Sequence, residues 1–150
     1  MLKMTFKHRL TIIALFFISI TLSFSADFES IKLSATNAQK NILIVFSGSD
    51  WCAPCIQFKK EVIENTAFTQ FADSSLIVVH ADFPRQKKNQ LPAEIQKENN
   101  LLADKYNAKG IFPSIVLLDN KGIVKRIWEG KPKQNAEKFV TEIQLILDAK

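Results

Sequence analysis

Asn41-Ile42-Leu43-Ile44-Val45-Phe46-Ser47-Gly48-Ser49-Asp50-Trp51-Cys52-Ala53-Pro54-Cys55-Ile56-Gln57-Phe58 is where the hydrophobic pattern of this 150-residue chain changes period. Residues 42–47 form a continuous apolar, partly β-branched run, as expected of a central strand buried on both faces. A short polar turn follows. From about residue 53 to 64 the pattern is that of an amphipathic helix, with Ile56, Phe58, Val62 and Ile63 apolar and Lys59, Lys60, Glu61 and Glu64 facing water. Pro54 falls in the first turn, where a missing N–H costs nothing. The only two cysteines of the chain, Cys52 and Cys55, therefore lie where a strand ends and a helix begins. Unpaired N–H groups and the helix dipole favour a negative sulfur there.

The N-terminal residues have a different character. Lys3, Lys7 and Arg9 precede an apolar run, Leu10 to Leu22, and Ser23-Phe24-Ser25 supplies small residues after it. That order is expected of a signal peptide over 1–25, with Ala26 as an alternative last residue and 26–150 as one mature domain. An uncleaved membrane anchor is the competing reading, since Leu10 to Ala26 reaches the short limit for a span. Removing residues 1–25 leaves 17 basic against 15 acidic residues, so the pI of 9.3 belongs partly to the leader. No basic-aromatic repeat or zinc module supports a nucleic-acid partner. About 125 residues can bury one core without staples. Export would make a disulfide possible. The loop closed by Cys52 and Cys55 is too short to stabilise the fold much, which favours a redox role over a structural one.

Outward from the cysteines, a helix is expected over about 28–39 with Asp27 as N-cap. After the cysteine helix, Asn65-Thr66 is read as its end and residues 67–72 as a short helical turn. Leu76 to Asp82 reads as a second strand of the buried type. Phe83 to Asn100 is the least patterned part and opens as a polar, basic connection, and Leu91 to Tyr106 then reads as a helix. On that helix Ile95, Leu101, Leu102 and Tyr106 share the inner face, and Gly110 acts as a stop. Ser114 to Asp119 and Ile123 to Trp128, joined by Asn120-Lys121-Gly122, form an antiparallel hairpin. Asn135 to Ala149 is a final amphipathic helix with Phe139, Val140, Ile143, Ile146 and Leu147 inward. Strands alternating with helices and then a hairpin give an α/β class, with a mixed central sheet covered by helices on both faces.

With these elements in order, the chain resembles the thioredoxin superfamily over about residues 27–149. Trp51-Cys52-Ala53-Pro54-Cys55 between strand and helix, Pro113 just before a hairpin strand, and the element order carry the resemblance. C-x-x-C alone is a weak pattern; in this context it is a strong one. The runs 47–52 and 83–89 are most similar to exported bacterial thioredoxin-like thiol:disulfide interchange proteins.

The resemblance implies a thioredoxin-like fold and a thiol–disulfide oxidoreductase. Cys52 would be the nucleophile and Cys55, more buried, the resolving thiol. Trp51, Ala53, Pro54, Phe112 and Pro113 would border the substrate groove, with Pro113 as a cis-proline facing the sulfurs. Partners would be exported proteins carrying disulfides or dithiols, together with an upstream electron donor, one held in the membrane being an option. Reduction is favoured over oxidation or isomerisation, and no cofactor or metal is called for. The family's buried acid in the strand before the cysteines is missing. Counting back from Cys52 puts Phe46 there, so Glu61, His80 or solvent would have to take the resolving proton.

Simpler readings compete. Trp51 is either packing beside a turn or a lid over the sulfurs, His80 a strand-end residue or a base, and Asp50 a cap or an acid. Arg85-Gln86-Lys87-Lys88 is a solvated loop or a docking patch for an acidic partner. The same two cysteines could instead bind or deliver a soft metal such as copper(I), with His80 joining them.

Overall fold

The computed structural model describes residues 28–149. The leader over 1–25 and the Asp27 cap lie outside the described residues.

Helix α1 (Phe28–Ala38) leads to strand β1 (Asn41–Ser47). Helix α2 (Ala53–Phe58) is capped by Cys52, contains Cys55 and widens into a π turn over Lys59–Ile63, where the Glu64 N–H reaches the Lys59 carbonyl at 2.9 Å. Helix α3 (Thr66–Ser75) and strand β2 (Leu76–Asp82) follow, then helix α4 (Ala93–Tyr106), strands β3 (Ser114–Leu118) and β4 (Val124–Glu129), and helix α5 (Ala136–Asp148). The sheet order is β2-β1-β3-β4. The β1–β2 pair is parallel; β1–β3 and β3–β4 are antiparallel.

Two residues per pleat sort β1 onto two cores. Leu43 and Val45 join Ile115, Leu117, Phe58, Phe68, Trp128, Phe139 and Ile143 on the side of α2, α3 and α5. Ile42, Ile44 and Phe46 join Val116, Leu118, Ala35, Leu102 and Tyr106 beneath α1 and α4. Phe139, fully buried, centres the first core; its ring meets those of Trp128 at 5.1 Å, Phe58 at 5.7 Å and Phe68 at 6.4 Å. A β1 buried on both faces holds the end of the strand still, and with it the turn that carries the cysteines.

Several sequence expectations change. Residues 67–72 belong to a full helix, because the Asn65 side-chain oxygen accepts the Ala67 N–H at 2.9 Å and so starts α3 rather than ending α2. Strand β2 is an edge strand and only half-buried along most of its length. Ile56, Ile95 and Leu101 are exposed. On α4 the inner stripe is Asn99, Leu102 and Tyr106, and the Asn99 amide donates to the Asp82 carbonyl at 2.9 Å. Tyr106 ends α4, and Gly110 closes the turn beyond it at φ 64°, donating its N–H to Asn107. The 119–123 connection is tied by the Asp119 carboxylate, which accepts the Lys121 and Ile123 N–H groups at 2.9 Å each.

Candidate functional site

Cys52 is the N-cap of α2, and Cys55 lies one turn further along. The two form a disulfide with Cα atoms 5.2 Å apart. The Cys55 N–H points at the Cys52 sulfur at 3.3 Å, so the head of the helix supplies a donor to that atom. Both cysteines are buried to the same extent, at 4% exposure, whereas Cys55 was expected to be the more buried. Ala53 and Pro54 are exposed on the first turn.

The turn that presents the sulfurs is anchored by two carboxylates. Asp82, at the end of β2, accepts the Ser49 N–H at 2.8 Å and the Ser47 and Ser49 hydroxyls at 3.1 and 2.5 Å. Asp50 reaches the 83–89 connection and accepts from the Arg85 and Gln86 N–H groups at 2.9 Å and the Asn89 amide at 3.0 Å. The Arg85 N–H, followed by the Asn89 and Gln86 donors, holds the Asp50 carboxyl below its ordinary value, despite a smaller opposing effect of desolvation. Of its two readings, Asp50 has the structural one: its carboxylate tethers a loop.

Trp51 is half-buried and held on three sides. Its indole N–H donates to the Phe83 carbonyl at 2.7 Å, the Arg85 guanidinium lies 3.7 Å from its ring centre, and the Phe112 ring meets it edge-on at 5.4 Å. Phe83 in turn meets Phe112 at 5.5 Å. The Phe112–Pro113 peptide bond is cis, and Pro113 is buried. Arg85 against Trp51 was not foreseen; the signal would have been a cationic residue two positions past Phe83 once that loop was known to fold back.

Pro113, Cys55, Val45, Ser47, Lys59 and His80 line a cavity of about 150 Å³ beside the disulfide. The site thus joins a buried sulfur pair to a small apolar hollow with a few polar groups and an aromatic–cationic rim. Two adjacent sulfurs can cycle between disulfide and dithiol, exchanging two electrons with a partner. Among the described residues, no three His, Cys, Asp or Glu side chains converge as a metal site.

The sequence matches the model of the family described as Thioredoxin-like over residues 23–120. The chain belongs to the thioredoxin-like family. It is 37% identical over 83 residues to the "Disulfide bond reductase DsbH" of Chlamydia pneumoniae, covering 55% of this chain and 48% of that protein. It is 25% identical over 95 residues to the "Thioredoxin-related protein DsbJ" of the same organism, covering 63% and 26%. The chain thus spans about half the length of one relative and a quarter of the other. The solved structure "DsbH Oxidoreductase" superposes with a TM-score of 0.73 at 27% identity, covering 83% of each chain.

Within this thioredoxin-like frame, the strand position beneath the cysteines is Val45 rather than Phe46. Val45 lines the cavity beside Cys55, whereas Phe46 points to the opposite core. Counting back from Cys52 was one residue off, and a shift of one reverses the face of a strand. Glu61 is exposed, bonded to Lys131 at 2.5 Å and Gln57 at 2.7 Å, and is not part of the cavity. His80 pairs with Val45 in the parallel register and does line it.

Proposed function

We propose that this chain is an exported thiol–disulfide oxidoreductase that reduces disulfides in partner proteins. Cys52 attacks as a thiolate, favoured by the head of α2 and the Cys55 N–H. A mixed disulfide forms between Cys52 and the partner. Cys55 then attacks the Cys52 sulfur, and the partner leaves reduced. An upstream donor, itself a dithiol, restores the pair. Trp51, Ala53, Pro54, Phe112 and Pro113 border the groove in which an extended partner segment lies. The Phe112 backbone is the group that would pair with that segment in strand-like fashion.

The observation that carries this reading is the Cys52–Cys55 disulfide at the start of α2, beside buried Pro113. The direction, reduction, is supported by the printed name of the relative at 37% identity. Export is supported by the basic and apolar N-terminal pattern. In an insulin-reduction assay with dithiothreitol, Cys52→Ser abolishes turnover and Cys55→Ser traps partners as mixed disulfides at Cys52. Undiminished turnover by Cys52→Ser refutes the proposal. A mature N-terminus at Ala26 or Asp27, read by mass spectrometry of protein from the exporting cell, checks the leader.

A further inference from the structure

The resolving step poses a problem. Cys55 is 4% exposed, and a thiol buried among apolar groups holds its proton more tightly than one in water. It cannot attack until that proton leaves. The strand residue beneath it is Val45, which can accept nothing, and Glu61 is tied to Lys131 elsewhere.

We propose that His80 takes the Cys55 proton through the cavity they share, replacing a carboxylate that this chain lacks. The inference rests on the redox reading above and assigns its proton acceptor. His80 is the only histidine among the described residues. The period of two on β2 puts it on the same face as Val78, which packs against the core under α2. Its register partner is Val45, and the two line the cavity with Cys55. At about 150 Å³ this cavity has room for a water bridging sulfur and imidazole, with the Ser47 hydroxyl and the Lys59 ammonium as further polar partners. His80 lines the cavity and is itself exposed, so a captured proton has a way out to solvent.

The surrounding charges suit an acceptor. Desolvation first, and then Lys59, hold the His80 imidazole below its ordinary pKa, with Asp82 pulling weakly the other way. It is therefore neutral, and able to accept, at neutral pH. Lys59, in an ion pair with Glu64 at 3.7 Å, brings a positive charge to the cavity that favours the Cys55 thiolate. Asp82 is occupied by Ser47 and Ser49.

The step balances. The Cys55 S–H proton passes through the water to a ring nitrogen of neutral His80. The Cys55 thiolate bonds to Cys52 Sγ, and the bond from Cys52 to the partner sulfur breaks, its electron pair leaving on the partner as thiolate. Two electrons pass from the cysteine pair to the partner, and the imidazolium gives its proton to solvent.

The test uses the reduced protein and an aromatic disulfide reagent, 5,5′-dithiobis(2-nitrobenzoate), in stopped flow. The first equivalent of coloured thiol reports attack by Cys52; the second reports attack by Cys55. That leaving thiol needs no proton, so the second phase isolates the acceptor. In the wild type the second phase levels off at or below about pH 6.5, the ordinary histidine value. His80→Gln slows it about tenfold or more at pH 7.5, leaves the first phase unchanged, and makes the second climb about tenfold per pH unit through pH 8. Equal second phases with parallel pH profiles overturn the proposal, as does a loss confined to Lys59→Met. If His80→Gln does not fold by circular dichroism, His80→Asn and the wild-type profile decide, and a profile without the plateau overturns it. Release of only one equivalent by the wild type refutes the dithiol reading itself, a different failure.

Discussion

Gly48 stands at the entrance to the cysteine turn, and a single methyl group there tests how the site is held. Gly48 is not among the residues with positive φ, so its backbone accepts alanine. The obstacle is Trp51. A Cβ on Gly48 meets Trp51 Cζ2 at 2.6 Å, and Cε2 and Nε1 more closely still. Ordinary carbon contacts need about 3.5 Å or more, so the indole has to move by roughly 1 Å. It has no slack, because Arg85 lies 3.7 Å from the ring centre, Phe112 lies against the ring edge, and the indole N–H is bonded to Phe83 at 2.7 Å. A shift of that size breaks the hydrogen bond, worth about 1 kcal/mol net. Overpacking adds about 1–3 kcal/mol. Gly48→Ala should therefore cost about 2–4 kcal/mol, a fall of roughly 10 °C in Tm for a domain of this size. The assay is thermal and urea unfolding of the oxidised protein, repeated in a Trp51→Ala background. There the methyl has space, and the cost should drop to within about 0.5 kcal/mol of zero. The same cost in both backgrounds would refute the reasoning, since the penalty would then not come from the indole.

Phe139→Ala removes the ring at the centre of the core under α2 and should cost about 3–5 kcal/mol in urea unfolding. Asp50→Ala releases three donors on the 83–89 connection. Amide exchange at Arg85 and Gln86 should then speed up while the β1 amides stay protected, and unchanged exchange at both would contradict the tether. His80 also gives stability a pH dependence. Its folded pKa is lowered, so between that value and about 6.5 the unfolded chain binds more protons. The contribution is fully present above pH 6.5 and is lost as pH falls through the folded value. His80→Gln should flatten that part of the stability–pH curve measured by urea unfolding, and a wild-type curve already flat from pH 7 to 5 would contradict the lowered pKa.

The strand–turn–helix around the cysteines, the hairpin after Pro113 and α5 were legible in the sequence because local chemistry fixed each. An unbroken apolar run, Pro54 in a first turn, and Asn120-Lys121-Gly122 between two strands leave little choice. Features set by tertiary partners were not legible. Leu101 and Leu102 are adjacent, so both cannot face inward; Leu102 does, because the stripe also uses Asn99, whose amide reaches Asp82. Nothing local says that Asn99 is buried. Asn65 suits the end of one helix as well as the cap of the next. Sheet order made β2 an edge strand, so most of its apolar run is only partly covered. The Phe46 assignment failed on parity. It assumed a fixed turn length between strand and cysteine, whereas β1 runs on to Ser47, opposite Asp82, and puts Val45 under the disulfide. The cavity joining Cys55, Lys59 and His80 needs that register and the β1–β2 pairing together, and no segment alone contains it.

The most direct test of the central claim is the equilibrium of the Cys52/Cys55 pair against glutathione buffers, acid-quenched and counted by thiol labelling. A protein that reduces its partners should titrate as one two-electron couple with a midpoint more negative than about −230 mV, on the reducing side of the glutathione poise of an oxidising compartment, about −180 to −210 mV. A midpoint near about −120 mV, where strong disulfide donors lie, or a pair that does not exchange at all, would contradict it.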